Sequence, residues 1–319
     1  MGVAMKSGWS KPSTILFATE VPANEKAFAW ALAQATELGA DLILFHAYDT
    51  MVVAASETTG IRYYDYAAAA RSEIHHLEPL AEKARGAGIR CEIVVRPGLP
   101  SDQILAFQKE RQIDRIVMGT HSPGPIGKLL VGSVAEAVLR SAKVPVCVIG
   151  PEAVDGSYRN FATRTILCAV SLQEASYVVA GFAAELAAQH HARLLLEHVI
   201  RPQDRLDVLT HHTIEELETE MLLLVPRELR SRVTVQAVVV PGDPSEELLY
   251  QTRSQQADLI VLGAQEATAF SAVTCHGVVY KTLAHSQCPV MTLSPAVLAE
   301  CGTTIEKSHA VEVLMADLI

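Results

Sequence analysis

The feature that most constrains this sequence is an internal repeat. Five segments recur at offsets of 151, 152, 144, 144 and 144: 13–19 with 164–170, 42–46 with 194–198, 97–102 with 241–246, 114–119 with 258–263, and 144–148 with 288–292. Self-similarity at a fixed spacing indicates one structural unit written twice. We therefore predict a first domain at 1–150, a second at 159–295 and a C-terminal tail at 296–319. The offset falls between 46 and 97, which indicates an insertion in the first copy around 50–66.

Each copy alternates short, β-branched apolar runs with longer segments rich in Ala, Leu and Glu. Strands that read as nearly continuous apolar runs are buried on both faces, and helices between them indicate a parallel sheet. The sequence predicts an α/β fold with a doubly wound, five-stranded, mostly parallel sheet in each copy. The predicted strands are 13–19, 41–47, 90–95, 113–118 and 144–149, then 164–170, 192–199, 232–240, 257–262 and 288–293.

Composition narrows the function classes. The chain has 319 residues with 26 Lys+Arg against 36 Asp+Glu, a formal net charge of −10. A general nucleic-acid binder needs a basic surface, so nucleic acid is not expected as a partner. No apolar stretch reaches the length of a membrane span, so no membrane association is expected either. The six cysteines have no C-x-x-C spacing and mostly lie in apolar runs, which indicates reduced thiols and a cytoplasmic protein.

The loop after the fourth strand of the first copy is the best candidate for a ligand site. In open α/β sheets, ligands bind beyond the carboxyl ends of the strands at the switch point. Here several glycines follow the strand, and a helix begins just behind them at Ser133. Glycines allow backbone N–H groups to approach a phosphate, and a helix N-terminus favours an anion. The loop is neither a Walker P-loop nor a Gly-x-Gly-x-x-Gly motif.

These residues resemble the signature of the universal stress protein family. Met118-Gly-Thr-His-Ser122, nine residues, and then Gly132-Ser-Val-Ala-Glu136 are similar to the pattern Gly-x2-Gly-x9-Gly-[Ser/Thr], with Ser122 at the second glycine. The resemblance covers nearly the whole chain as two copies. It implies flavodoxin-like domains, a dimeric cytoplasmic protein and, in one branch, ATP binding with Mg²⁺. The nucleotide-binding residues it implies are Ala18, Thr19, Glu20, Ala47, Met118, Gly119, His121, Ser122, Gly132, Ser133 and Val134.

The second copy departs from this signature. Gly263 is retained, but Glu266 stands at the second glycine, His276 at the third and Gly277 at the Ser/Thr position. Ser171 replaces the acidic residue that follows the first strand of a copy. A carboxylate aimed at a triphosphate repels it. We therefore expect an adenine nucleotide in the first domain only.

Three motifs have alternative interpretations. Ser133 with Glu136 has the spacing of a capping box, which any helix can use. His211 and His212 precede Glu215 and Glu216 at i+4, which suits either a metal site or, as we favour, a solvated helix face. Cys275-His276 suits either a nucleophile with its base or, as we favour, a packed thiol beside a surface histidine.

The leading hypothesis is a regulatory stress-response protein that binds ATP in its first domain and whose second domain is structural. The alternatives are a nucleotide-free scaffold acting through protein partners and, ranked last, a slow ATP hydrolase in which Glu20 or His121 positions water. No catalytic constellation is recognised, so no enzymatic activity is expected. The apolar edge strands 144–149 and 288–293 predict that the copies pair as an intramolecular pseudo-dimer, and a further homodimer of the whole chain is expected.

Overall fold

Both copies fold as alternating strands and helices in the computed structural model, which describes residues 11–48, 66–120, 132–154, 163–173, 175–263 and 277–300. In the first copy the elements are β1 (Thr14–Ala18), α1 (Glu25–Leu38), β2 (Asp41–Tyr48), α2 (Tyr66–Gly86), β3 (Cys91–Pro97), α3 (Pro100–Glu110), β4 (Arg115–Gly119), α4 (Ser133–Ser141) and β5 (Val146–Ile149). In the second copy they are β6 (Thr165–Ala169), α5 (Ser176–His190), β7 (Arg193–Ile200), α6 (Arg205–His211), α7 (Ile214–Leu223), α8 (Arg227–Arg230), β8 (Val235–Pro241), α9 (Pro244–Ser254), β9 (Leu259–Gly263), α10 (Val278–His285) and β10 (Val290–Leu293). The predicted fold class is confirmed.

Local sequence signals set several of these boundaries. Helix α1 begins after Asn24, whose side chain accepts a hydrogen bond from the amide of Ala27, and it ends at Gly39, which has a left-handed backbone with φ of 66°. Helix α9 begins after Asp243, which accepts from the amides of Ser245 and Glu246, with a proline in the first turn. Such caps satisfy amide groups that the helix itself cannot bond. These capping residues mark where each of the two helices begins.

The ten strands form one sheet in the order β3-β2-β1-β4-β5-β10-β9-β6-β7-β8. Within each half all neighbouring strands are parallel, and the first strand of each copy lies between its second and fourth. The order reverses at that first strand, so a switch point lies beside β1 and another beside β6. Apolar side chains from helices on both faces cover the sheet in two core clusters, each of which contains residues of both copies.

The two halves join through their last strands. β5 and β10 pair antiparallel, with Val148 opposite Val290 and Val146 opposite Thr292. The Thr292 hydroxyl donates a hydrogen bond of 3.2 Å to the Val146 carbonyl, and the Ser294 hydroxyl donates to the Ala142 carbonyl. All four strand residues are fully buried. The predicted intramolecular pseudo-dimer through these edge strands is confirmed.

Among the described residues, two contacts between a glutamate and a histidine also join the halves. Glu37 of α1 lies 2.8 Å from the Nδ1 atom of His190 in α5, whose side chain is 1% exposed. Glu152, in the chain that leaves β5, lies 2.9 Å from Nδ1 of His285 at the end of α10, and both side chains are nearly half exposed. The same contact type therefore occurs once buried and once at the surface.

The observed helix ends change the interpretation of two motifs. Ser133 and Glu136 do not form a capping box, because the helix begins one residue earlier than that motif requires: Gly132 is the N-cap, and Glu136 instead bonds Arg140 at 2.6 Å. His211 and His212 do not share a helix with Glu215 and Glu216. His211 ends α6 and His212 is its C-cap, whereas Thr213 caps the separate helix α7 in a true capping box with Glu216. All four side chains are exposed, as the favoured interpretation of a solvated surface predicted.

Candidate functional site

The predicted site residues of the first domain meet at the carboxyl ends of three neighbouring strands. Ala18 ends β1 and pairs on one side with Phe45 of β2 and on the other with Met118 of β4. Ala18, Met118 and Ala47 of β2 are all buried in the same core cluster. The three parallel strands therefore bring side chains from distant parts of the sequence to one edge of the sheet.

The chain that leaves β1 is held by a histidine. The Thr19 amide donates to the Phe45 carbonyl at 2.9 Å, and the Thr19 carbonyl accepts from Nδ1 of His46 at 2.9 Å. The second copy repeats the second bond, because Nδ1 of His198 donates to the Val170 carbonyl at 2.9 Å. Because a carbonyl oxygen can only accept, Nδ1 carries a proton in both rings. The next residue in the chain after Thr19 is Glu20, whose side chain is exposed.

Gly119 is required by a close contact with Asn24. A Cβ atom at Gly119 would lie 2.4 Å from the Asn24 Nδ2 atom, which is shorter than any real contact of that kind. That amide group donates to the Thr120 carbonyl at 3.4 Å while its oxygen caps α1. The asparagine thus joins the start of α1 to the chain that leaves β4, and only glycine fits beneath it.

The start of α4 presents open space. Gly132 has φ of −58° and ψ of 150°, makes no side-chain cap, and a Cβ atom added to it would meet nothing within 4 Å. Ser133 is exposed, and Val134 packs partly against the core cluster that contains Ala18 and Met118. Uncapped amide groups at a helix start are favourable partners for an anion. His121 and Ser122 lie outside the described residues.

The corresponding edge of the second domain contains a cavity of about 630 Å³. It is lined by the ends of β6 and β7, by residues of α6 and α7, by Gly263 at the end of β9 and by Gly277 just before α10. Residues 295–300 are helical, and Leu298 from this segment lines the cavity and lies 3.6 Å from the position of a Cβ on Gly263. This volume is in the range of small-molecule sites.

Gly277 is the N-cap of α10, so this helix starts one residue later in the repeat than α4 does. Its backbone angles, φ of −65° and ψ of 151°, are close to those of Gly132. Ser171 stands at the position that Glu20 has in the first copy. Its hydroxyl oxygen lies 3.2 Å from that of Ser176. The helix start is therefore similar in both domains, and the surrounding side chains differ.

Glu197 lies in the wall of this cavity and was missed by the sequence reasoning. It lies on β7 directly after the apolar run Leu194–Leu196, it is 1% exposed, and neither of its carboxyl oxygens has a hydrogen-bond partner. Burial, with a smaller contribution from Glu247, raises the pKa of Glu197 to about 8. An acidic residue that interrupts an apolar strand was the available signal. His46 and His198 were also missed, although the repeat itself places them at equivalent positions.

Among the described residues, no group of three His, Cys, Asp or Glu side chains is placed to hold a metal ion. No helix within the described ranges is both long and apolar enough to span a membrane. Cys275-His276 and almost all of the 50–66 insertion lie outside the described residues. The remaining described cysteines are unbridged; Cys147, Cys168 and Cys288 are buried and Cys91 is partly buried, and burial raises the pKa of each thiol.

Comparisons with known proteins agree with this architecture. The model of the universal stress protein family matches residues 12–150 and again 162–294. A universal stress protein of Bacillus subtilis is 30% identical over 133 residues, which are 40% of this chain and 90% of that protein. One from Mycobacterium tuberculosis is 33% identical over 129 residues, which are 40% of this chain and 41% of that protein.

The crystal structure of a universal stress protein from Archaeoglobus fulgidus matches 90% of this chain and 97% of its own, with a TM-score of 0.68 at 19% identity, which supports the fold. With both halves matched, the chain belongs to the universal stress protein family and contains two tandem domains of it.

Proposed function

We propose that this stress-response protein binds an adenine nucleotide, ATP with Mg²⁺, in its first domain only. The observation that carries the proposal is the open, uncapped start of α4 at Gly132, where Val134 packs against the core cluster that contains Met118 of β4. Phosphate oxygens accept hydrogen bonds from such amide groups, and the helix dipole adds to the attraction. Ala18, Thr19, Glu20 and Ala47 would hold the remainder of the nucleotide, and Met118 to Ser122 its phosphates with Gly132, Ser133 and Val134.

The restriction to the first domain is supported by charge. Among the described residues, three exposed carboxylates, those of Asp204, Asp207 and Glu220, line the second-domain cavity with the guanidinium groups of Arg140 and Arg201. The buried carboxyl group of Glu197 also lies in its wall, so a triphosphate would meet an excess of acidic side chains there. We therefore expect one nucleotide per chain.

A matched pair of substitutions tests the proposal. Both N-cap glycines accept a Cβ atom without a clash, because Gly132 faces open space and a Cβ at Gly277 meets Tyr280 only at 3.8 Å. Aspartate is a favourable N-cap residue, so neither Gly132→Asp nor Gly277→Asp should impair folding. Its carboxylate occupies and repels the phosphate position only in the domain that binds ATP.

Isothermal titration calorimetry with ATP and Mg²⁺ should give one site in the wild-type protein and in Gly277→Asp, and no binding in Gly132→Asp. At 100 times the dissociation constant, ATP should stabilise the wild-type fold by about 2.7 kcal/mol. Two equivalent sites, or loss of binding in Gly277→Asp instead, would contradict the restriction to the first domain. No binding to the wild-type chain would favour the nucleotide-free scaffold. Phosphate release during the titration would identify the slow hydrolase, with Glu20 and His121 as the residues to substitute next.

A further inference from the structure

We propose that the second domain binds a small organic cation, an amine with an apolar body, in the cavity beside Glu197, and that the Glu197 carboxylate accepts the ammonium hydrogen bonds. This site is separate from the nucleotide site proposed above. It differs in chemistry from a phosphate site, because acidic side chains outnumber guanidinium groups among the described residues that line it.

The first observation is the unpartnered buried carboxyl group. Glu197 is 1% exposed, and neither of its oxygens is hydrogen-bonded. The first copy has Phe45 at the equivalent position, packed against the Phe107 ring at 5.0 Å between centroids. Burying a carboxyl group without a partner is unfavourable, so an apolar residue would be the stable choice for packing alone. A glutamate at this position is explained by a ligand that supplies the missing donors.

The second observation is the composition of the cavity wall. Apolar side chains from several elements line it, including Val179 of α5, Val199 of β7 and Leu217 of α7. Besides Glu197, the exposed carboxylates of Asp204, Asp207 and Glu220 line the cavity, against two guanidinium groups among the described residues. A wall of this kind suits an apolar molecule that carries one positive charge. A bare metal ion is disfavoured, because no cluster of ligating side chains is present in the described parts of the chain.

The third observation is a small helix that covers the cavity. Helix α6 has seven residues, none of them buried, and Leu206 on its outer side is 82% exposed. The half-buried Val208 lines the cavity, and the exposed Asp207 and Asp204, the latter just before the helix, lie at its rim. A helix with so little core contact can move away at low cost and admit a ligand. Its two aspartates would attract a cation toward the opening.

The protonation of Glu197 gives the binding a recognisable signature. With a pKa of about 8, the carboxyl group is mostly protonated at neutral pH in the empty cavity. An ammonium group stabilises the carboxylate, so binding releases a proton. The apparent affinity should fall about tenfold for each pH unit below 8, because the competent carboxylate becomes rarer. The other charged groups facing this region are Glu247 of α9, Glu220 of α7, Arg140 of α4, Arg201, Asp204, Asp207, His198 and His212.

The test uses three aromatic amines of increasing size, benzylamine, phenethylamine and tryptamine, with the nucleotide-free full chain. Isothermal titration calorimetry at pH 8 should show one saturable site for at least one amine, and titrations in buffers of different ionisation enthalpy should show the release of about half a proton, because Glu197 is about half protonated at that pH. The neutral 2-phenylethanol and the anionic phenylacetate should bind at least tenfold more weakly than phenethylamine. Glu197→Gln should weaken amine binding at least tenfold, and Glu246→Gln, an exposed glutamate on α9, should leave it unchanged.

Three results would overturn the proposal. They are no saturable binding of any of the three amines, equal binding of phenylacetate and phenethylamine, and undiminished binding by Glu197→Gln. Gly132→Asp should leave amine binding intact, which separates this site from the nucleotide site. The proton release is measured on the unmodified chain, so the conclusion does not depend on how well any variant folds.

Discussion

Phe45 and Glu197 occupy the same position of the repeated domain, and both side chains are 1% exposed. Each lies on the second strand of its copy, paired with the last residue of the first strand, Ala18 or Ala169. The first copy places an aromatic ring in its core there, and the second places an acid beside a cavity. Because Glu197 can ionise and Phe45 cannot, we expect only the second of these positions to make the stability of the protein depend on pH.

Glu197→Gln should remove a pH dependence of stability. Because the pKa of Glu197 is raised to about 8 from its ordinary 4.5, the folded protein binds more protons than the unfolded chain between these values. Stability from this group is therefore fully present below pH 4.5 and is lost as the pH rises through 8. Urea denaturation at pH 5 and pH 9 should show the wild type losing several kcal/mol more than the variant, with an upper bound of about 5 kcal/mol. Glu246→Gln should behave as the wild type, and parallel pH profiles for all three would disprove the assignment.

Gly150→Ala should weaken the contact between the halves. A Cβ atom at Gly150 would lie 2.2 Å from the Leu283 carbonyl oxygen of α10, which is backbone and cannot turn away. We expect a loss of about 2 kcal/mol or more in the free energy of unfolding, typical of forced repacking. Gly86→Ala is the control, since Gly86 ends α2 with nothing within 4 Å. Alanine there should be neutral or stabilising, and equal denaturation midpoints for both variants would contradict the packing described.

Glu37→Ala should destabilise the protein more than Glu152→Ala. Both carboxylates bond a histidine of the other half, but His190 is buried and its other ring nitrogen has no partner, whereas His285 is nearly half exposed. Removing Glu37 leaves a buried donor unsatisfied at a cost of about 1–3 kcal/mol. Removing Glu152 should cost less than about 1 kcal/mol. A double-mutant cycle with His190→Ala and His285→Ala measures both couplings; a stronger coupling for the exposed pair would be incompatible with this account.

Asn24→Ala should affect stability and nucleotide binding together. The asparagine caps α1 and bonds the Thr120 carbonyl, so its loss frees the chain that leaves β4. The loss of a cap costs about 1 kcal/mol, and we expect a several-fold weaker affinity for ATP by calorimetry. Thr213→Ala removes a comparable cap from α7, in the second domain. Thr213→Ala should lower the free energy of unfolding by a similar amount and leave the ATP affinity unchanged. An equal loss of ATP affinity in both variants would show that the effect of Asn24→Ala is only a general destabilisation.

The fold could be predicted from sequence because its signals are local and repeated. Apolar runs and caps placed β1, β2 and β5 within about two residues of their observed bounds. Strand β8 was predicted from 232 but begins at Val235, because the amides of Arg232 and Val233 still bond the Leu229 carbonyl of the preceding helical turn. The capping box at Ser133 failed because a motif gives spacing but not the residue at which the helix begins.

The second-domain cavity could not be predicted in this way. Its volume depends on how α6, α7 and the segment 295–300 pack around the end of the sheet, and the apolar period of a helix does not report that packing. Glu197 lies in a segment whose apolar pattern predicts the interior of a strand. That pattern does not show whether a buried carboxyl group has a hydrogen-bond partner. The first-domain residues were found by similarity of the signature, while the contact of Asn24 with Gly119 joins residues 95 positions apart.

The antiparallel pairing of β5 with β10 has a consequence for how such a protein diverges. In a dimer of identical chains, symmetry forces every substitution into both binding sites at once. In this chain the same interface joins two halves with separate sequences, so one site can change while the other is kept. Phe45 in one half and Glu197 in the other illustrate that freedom, and it allows a single molecule to respond to two unlike ligands across one continuous sheet.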